Sequence, residues 1–257
     1  NLFLQVVGRR PDGYHEIQSV FQLIDLCDSL VFEPRSDPAI RRLEGPVEVP
    51  EADDLCLRAA RRLQEMTGRR PGVDIQLAKR IPVQGGLGGG SSDAATTLVA
   101  LNEIWGLGLG VAELARLGRE LGADVPLFIH GHSAWGEGVG DVLTPIDLPP
   151  RHFAIVHPGV GVRTAEIFQA IELTRNSPRT TIRGFLKAGG RNDCEPVVAG
   201  RNPEVATALA WLAARGDARL TGTGSCVFAG FDTRGAAEAV LADLPAGWSG
   251  VLARGLD

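Results

Sequence analysis

Residues 81–98 read IPVQGGLGGGSSDAATTL, with five glycines in the six positions from Gly85 to Gly90. Such a run cannot sit inside a regular strand or helix, because ordering glycine forfeits more backbone freedom than ordering any other residue. Before it, Val73, Ile75 and Leu77 alternate with Asp74 and Gln76, the period of a half-buried strand. After it, Ala94, Leu98, Leu101 and Trp105 recur at helical spacing. The run is therefore a strand-to-helix loop. It offers unpaired N–H groups and the positive end of a helix dipole to an anion, and glycine lets backbone approach phosphate oxygens closely. Ser91, Ser92 and Asp93 are each competent caps for the helix that follows.

The two commonest phosphate loops do not fit. A Walker A loop needs Gly-Lys-Ser/Thr at the helix start, and here the loop ends Gly90-Ser91-Ser92-Asp93 with no lysine. The GxGxxG dinucleotide fingerprint has the wrong spacing for this run, and a second helix, not a strand, follows the first. That second helix is expected over Val111 to Leu121, with Leu114, Leu117 and Leu121 on one face.

Elsewhere the chain mixes strands and helices without strict alternation, which reads as α+β in two subdomains. Strands are expected over Leu2–Val7, Glu16–Ile24 and Ser29–Glu33, with a Pro-Asp-Gly turn at 8–14, while 35–50 shows no clean period. Asp53 is placed to cap a helix to about Thr67. A strand pair is expected over Ser133–Thr144, and IDLPPRH at 146–152 is the best linker. Beyond it come a strand at Phe153–Val156, a short helix near Thr164–Ala170 and a polar stretch to Asn192. Helices at Asn202–Ala214 and Thr233–Ala242, β-segments over Leu220–Phe231 and a strand near Val251 complete the chain.

With 31 acidic against 26 basic residues, the net charge is −5, so no basic field draws the chain to nucleic acid or an anionic membrane. No apolar run reaches the roughly 18 residues of a spanning helix. The four cysteines are scattered without metal-ligand spacing and read as buried or idle thiols in a reducing compartment. His130 and His132 form a pair with no third ligand nearby. The chain opens at Asn1, already in strand-like sequence, so it is expected to start inside a longer protein.

Three blocks together resemble the GHMP small-molecule kinases (galactose, homoserine, mevalonate and related kinases). They are Pro82-Val-Gln-Gly-Gly-Leu-Gly-Gly-Gly-Ser-Ser-Asp-Ala-Ala, Leu121-Gly-Ala-Asp-Val-Pro and Leu220-Thr-Gly-Thr-Gly-Ser-Cys-Val-Phe. Further segments, Arg10-Pro-Asp-Gly-Tyr-His-Glu-Ile-Gln, Glu137-Gly-Val-Gly, His157-Pro-Gly and Asn192-Asp-Cys-Glu, extend the likeness over nearly the whole chain. They point to a member that phosphorylates a hydroxyl of a cytidine-diphosphate derivative of methylerythritol in the non-mevalonate isoprenoid route.

The resemblance implies a fold of two subdomains, divided at 1–147 and 148–257. The first is a ribosomal-protein-S5-like domain holding ATP and the catalytic group, and the second a ferredoxin-like α/β sandwich on the substrate side, with the ligands meeting in a cleft between them. It implies ATP and Mg²⁺ as cofactors, a small-molecule substrate, no nucleic-acid or membrane partner, and a cytoplasmic monomer or weak homodimer. It leaves the metal ligands unknown.

Residue by residue, the resemblance makes Asp124 the catalytic carboxylate, which takes the substrate hydroxyl's proton or orients it for in-line attack. Asp124 read alone is equally a turn or cap residue. Pro82, Val83, Gln84, Gly85, Gly86, Leu87, Gly88, Gly89, Gly90, Ser91 and Ser92 match the ATP loop. Lys79 matches a lysine near adenine and ribose, against a solvated Lys-Arg pair. Tyr14, His15 and Phe168 match the group that holds the cytosine by stacking and hydrogen bonds, although Phe168 could equally be core. His157 and Thr164 match residues lining the same cytosine site, Asn1 a residue on the substrate side, and Gly222, Thr223 and Gly224 the substrate's phosphate end. Asp54 departs from the family's usual Asn near the adenine. The family's partner lysine of Asp124 would lie two positions before Asn1. Two competing readings are another GHMP kinase, of homoserine or mevalonate type, and a nucleotide-binding homologue without catalysis.

Overall fold

A computed structural model describes residues 1–68 and 71–256. By packing, the chain forms two compact units, each threaded from non-contiguous segments. The first contains 1–26, 82–87 and 132–257, and the second 27–81 and 88–131.

The second unit is built on three strands, β3 (Ser29–Arg35), β4 (Ile40–Glu44) and β5 (Gly72–Ala78), in the order β3-β5-β4. β5 runs antiparallel to β3 and parallel to β4. Its alternation is as expected, with Val73, Ile75 and Leu77 buried. β4 occupies the stretch where no period was legible. Four helices accompany the sheet: α1 (Leu55–Thr67), α2 (Gly89–Ile104), α3 (Val111–Leu121) and α4 (Val125–His130). Leu57, Leu63, Leu98, Leu101 and Leu117 are fully buried in their shared core, each contributing about 1.5–3 kcal/mol. The cap of α1 is Asp54, not Asp53. Its carboxylate accepts from the N–H groups of Cys56 and Leu57 at 2.8 and 3.2 Å and pairs with Arg42 at 3.0 Å.

The first unit holds two antiparallel sheets. One has the order β1 (Phe3–Arg9), β2 (His15–Phe21), β6 (Ala134–Glu137), β7 (Val142–Pro145), and the other β11 (Ser249–Arg254), β8 (His152–His157), β10 (Val227–Phe231), β9 (Arg219–Leu220). Helices α5 (Thr164–Gln169), α6 (Ile182–Ala188), α7 (Glu195–Arg201), α8 (Pro203–Ala213) and α9 (Arg234–Ala242) complete it. The main core joins Leu4, Val6 and Ile17 of the first sheet to Ala154, Val156 and Val227 of the second and to Val205, Leu212 and Val240 of the helices. α6 and α7 were not anticipated, because each is only two turns long. The expected linker at 146–152 is not free chain either, since Ile146 and Leu148 are buried with Phe3, Val20, Trp135 and Phe185.

Candidate active site

The glycine loop is shared between the units: Pro82–Leu87 packs with the first and Gly88 onward with the second. In the first half, the Gln84 carbonyl accepts from the N–H groups of Val162 and Ser225, both at 3.3 Å. Gly85 O accepts from Cys226 N at 3.0 Å, and Gly86 O from the Thr221 hydroxyl at 3.1 Å. Gly86 has φ +74, and a Cβ there would stand 2.3 Å from Thr221 O. The first glycines thus serve a close backbone-to-backbone packing against 221–226, a purpose beyond leaving room for phosphate.

In the second half Gly88, φ 71, is the N-cap of α2, so helical backbone begins at Gly89. No side chain caps this helix. Ser91 and Ser92 were competent caps by type, but they arrive one turn too late and lie inside the helix. Its first N–H groups consequently have no side-chain acceptor, and the dipole's positive end is left for an anion. Lys79 sits at this helix start, where a Cβ on Gly89 would be 3.2 Å from its Nζ. Its ammonium pairs with Asp28 and, at 2.8 Å, with Asp93. Lys79 is therefore bound to two buried carboxylates and is not the solvated Lys-Arg pair that the sequence also allowed.

Asp124 precedes α4, whose Val125 and Pro126 are both buried. It stands at the N-cap position without making a capping bond, so its carboxylate is not consumed there. Burial raises its pKa above the ordinary carboxylate value. The Ser91 hydroxyl lies near the same turn, 3.8 Å from where a Cβ on Gly122 would stand.

In the first unit, the Tyr14 ring is 66% exposed at the tip of the Pro-Asp-Gly turn. Phe168 on α5 stacks on His15, with ring centroids 5.3 Å apart. His15 is lowered in pKa by burial and by the Arg175 and Arg9 charges. The Thr164 and Thr223 hydroxyls are 2.8 Å apart. A cavity of about 300 Å³ is lined by Gln84, Gly86, Val162, Arg163, Thr164, Ala165 and Gly224. It brings the glycine loop's first half together with two of the expected substrate-side residues. His157 accepts from Gly159 N through Nδ1 at 3.2 Å, so its proton is on Nε2, a buried nitrogen with no partner among the described residues. Asn1 donates from Nδ2 to the Ser19 hydroxyl at 2.8 Å.

Two residues escaped the sequence reading. Buried Asn192 donates from Nδ2 to the carbonyls of Leu220 (2.9 Å) and Gly222 (2.7 Å), holding the Gly222–Gly224 turn. Its presence in the Asn192-Asp-Cys-Glu block was the available signal. Arg175 bonds His15 from within a stretch without period, where nothing signalled it. Among the described residues, His130 and His132 belong to no group of three His, Cys, Asp or Glu that could hold a metal. Three of the cysteines, Cys56, Cys194 and Cys226, are buried, which pushes their thiols up to about 12.

Residues 54–132 match the family model described as GHMP kinases N terminal domain, and 170–250 the one described as GHMP kinases C terminal. A 4-diphosphocytidyl-2-C-methyl-D-erythritol kinase of Alkalilimnicola ehrlichii is 54% identical, covering 100% of this chain and 88% of that protein. One from Nitrosococcus oceani is 52% identical, covering 99% and 91%. A crystal structure of 4-(cytidine 5'-diphospho)-2C-methyl-D-erythritol kinase superposes with a TM-score of 0.87 at 33% identity, covering 100% of this chain and 96% of that one. A mevalonate kinase structure, at 16% identity and a TM-score of 0.68, shares the fold.

Proposed function

Since the chain belongs to the GHMP kinase family, in its branch of 4-diphosphocytidyl-2-C-methyl-D-erythritol kinases, we propose that Asp124 and the loop Pro82–Ser92 carry its phosphoryl transfer. The protein is an ATP-dependent phosphotransferase with an alcohol acceptor. It converts 4-diphosphocytidyl-2-C-methyl-D-erythritol to the 2-phosphate, a step in non-mevalonate isoprenoid precursor synthesis.

The observation that carries the division of labour is the uncapped start of α2. Its free N–H groups and dipole receive the ATP phosphates, with the Ser91 and Ser92 hydroxyls beside them. Lys79, bound to Asp28 and Asp93, shapes this terminus from behind and keeps its third ammonium N–H for the adenine or ribose side. Asp124 accepts the substrate hydroxyl's proton or holds that hydroxyl for attack. Transfer of this kind is mostly positioning and charge stabilisation, so a carboxylate can suffice. His15, Tyr14 and Phe168 take the cytosine. Thr164, Thr223 and the Gly222–Gly224 turn take the diphosphate end, and His157 offers its unpartnered Nε2–H to the same ligand. Asn1 completes the acceptor side.

No three-residue metal cluster exists among the described residues, and the hydroxyls at the start of α2 fit a Mg²⁺ that enters with the nucleotide. Bound beside the Ser91 and Ser92 hydroxyls, Mg²⁺ would offset phosphate charge. The division at residue 147 separates the stretch with the ATP loop and Asp124 from the stretch with Phe168 and the Gly222–Gly224 turn. The two family segments fall on either side of it. The protein is proposed to work as a monomer or weak homodimer, in the cytoplasm beside the ATP pool. No helix among the described residues is long and apolar enough to cross a membrane.

The test is ADP release with ATP and the cytidine-diphosphate substrate, with homoserine and mevalonate as controls. Turnover with the cytidine substrate alone is expected. Release driven by homoserine or mevalonate instead would refute the assignment.

A further inference from the structure

Arg175 lies in the irregular stretch between α5 and α6. Its Nη2 donates to the carbonyls of Phe168 (3.1 Å) and Ala170 (2.6 Å), and its Nη1 to that of Leu173 (3.0 Å). Its Nε donates to His15 Nε2 at 3.0 Å. The ring it touches is the one stacked on Phe168, with an interplanar angle of 27°. One guanidinium therefore fixes both the backbone that carries Phe168 and the imidazole lying against that ring.

The chemistry of this contact is one-sided. A guanidinium has only N–H donors and stays charged in proteins. A ring nitrogen that accepts from it cannot carry a proton, so Nε2 presents its lone pair to Arg175. In a neutral imidazole the proton is then on Nδ1. Protonating Nε2 as well would set N–H against N–H beside a fixed positive charge, and Arg9 adds a second charge of that sign.

We infer that Arg175 is a positioning residue that locks His15 as the neutral Nδ1–H tautomer, so that the His15 ring meets an incoming base as a hydrogen-bond donor and never as an acceptor. The base-recognition half of this rests on the reading of His15 and Phe168 as the base site; the tautomer half does not. A donor held this way selects a pyrimidine edge bearing a lone pair, as cytosine has at N3, and disfavours uracil, whose N3 carries a proton. His15 would thus discriminate between bases through a proton position that a residue outside the base site dictates.

The tautomer is read directly by long-range ¹H–¹⁵N correlation on the full chain labelled with ¹⁵N-histidine, His15 being assigned by its loss in His15→Gln. The expected wild-type spectrum has a protonated Nδ1 and an unprotonated Nε2 at neutral pH. A proton on Nε2 overturns the inference whatever the kinetics, and this measurement stands even if no Arg175 variant folds. In Arg175→Ala, the His15 pKa should rise and the Nε2–H form should appear. The KM for the cytidine substrate should rise about tenfold, the scale of one net hydrogen bond, with the KM for ATP within about twofold of wild type. The preference for the cytidine over the uridine analogue should narrow. A variant whose tautomer has shifted but whose base preference has not overturns the donor role. If the wild-type tautomer is as stated and neither His15→Gln nor Arg175→Ala moves the KM for the cytidine substrate, the base-site reading fails instead, and the donor role with it.

Discussion

The Lys79 ammonium lies 2.8 Å from the Asp93 carboxylate and also pairs with Asp28, so one cation ties the end of β5 to the first turns of α2. The two carboxylates titrate in opposite directions. Burial works against the charge on Asp28, but Lys79 and the N–H groups of Arg80 and Ile81 outweigh it and hold that carboxyl below its ordinary value. Asp93 lacks the backbone donors, and burial pushes it up to about 6 despite Lys79. Of two acids sharing one base, the less hydrogen-bonded one keeps its proton longer.

A pH dependence of stability follows. The folded-state pKa of Asp93 lies above its ordinary 3.8, so its contribution is fully present below that value and is lost as pH rises through about 6. The side chain is only 5% exposed, so solvent screens this little. Wild-type protein should lose roughly 1–3 kcal/mol between about pH 4 and 6.5 from this group. Asp93→Asn, which cannot titrate, should lose much less. Urea denaturation midpoints across that range measure both, and parallel slopes would show that Asp93 is not the titrating group.

Asp124 gives a prediction about rate. Its carboxylate makes no capping bond at α4, and Asp124→Asn preserves shape while removing the proton acceptor. Turnover should fall at least about a hundredfold, the scale of a positioned acid–base group, with the thermal midpoint nearly unchanged. Burial raises the pKa of Asp124, so the acid limb of kcat/KM in wild type should lie above the ordinary carboxylate range. A near-normal rate in the variant removes Asp124 from the chemistry.

Much of this was legible in the sequence where the periods are long or the residue types constrained. The alternation of β5, the apolar face of α3 and the proline-led start of α8 each appear where the pattern placed them. Short elements did not show, since two turns of helix such as α7 give too few repeats for a period to stand out. Caps were misjudged by competition between neighbours of the same type: Asp53 and Asp54 are both acceptable, and burial beside Arg42 selects the second. At α2, type alone favoured the serines, but the left-handed Gly88 starts the helix before them. Asp124 and His15, whose side chains carry chemistry of their own, were nominated through the family resemblance, and their roles here are proposals. Arg175 acts by bonding other residues' backbone, which no linear pattern records, and Asn192, which does the same, is marked only by its Asn192-Asp-Cys-Glu block.

The reason for the glycines can itself be tested at Gly86. Its φ of +74 already disfavours a side chain, and an added Cβ would meet Thr221 O at 2.3 Å, Gly224 O at 2.8 Å and Gly224 N at 2.9 Å. All three are backbone atoms that cannot swing aside, and Gly86 O also accepts the Thr221 hydroxyl, so moving the loop breaks that bond too. Gly86→Ala should therefore destabilise the protein by at least about 2 kcal/mol, well beyond a conformational penalty alone. Gly13 supplies the control, because it has φ +91 but nothing within 4 Å of its Cβ position. Gly13→Ala should show only the conformational component, on the order of 1 kcal/mol. Denaturant titration of the two variants separates the explanations: equal losses would mean that backbone conformation, and not the approach of 221–224, is what requires glycine at position 86.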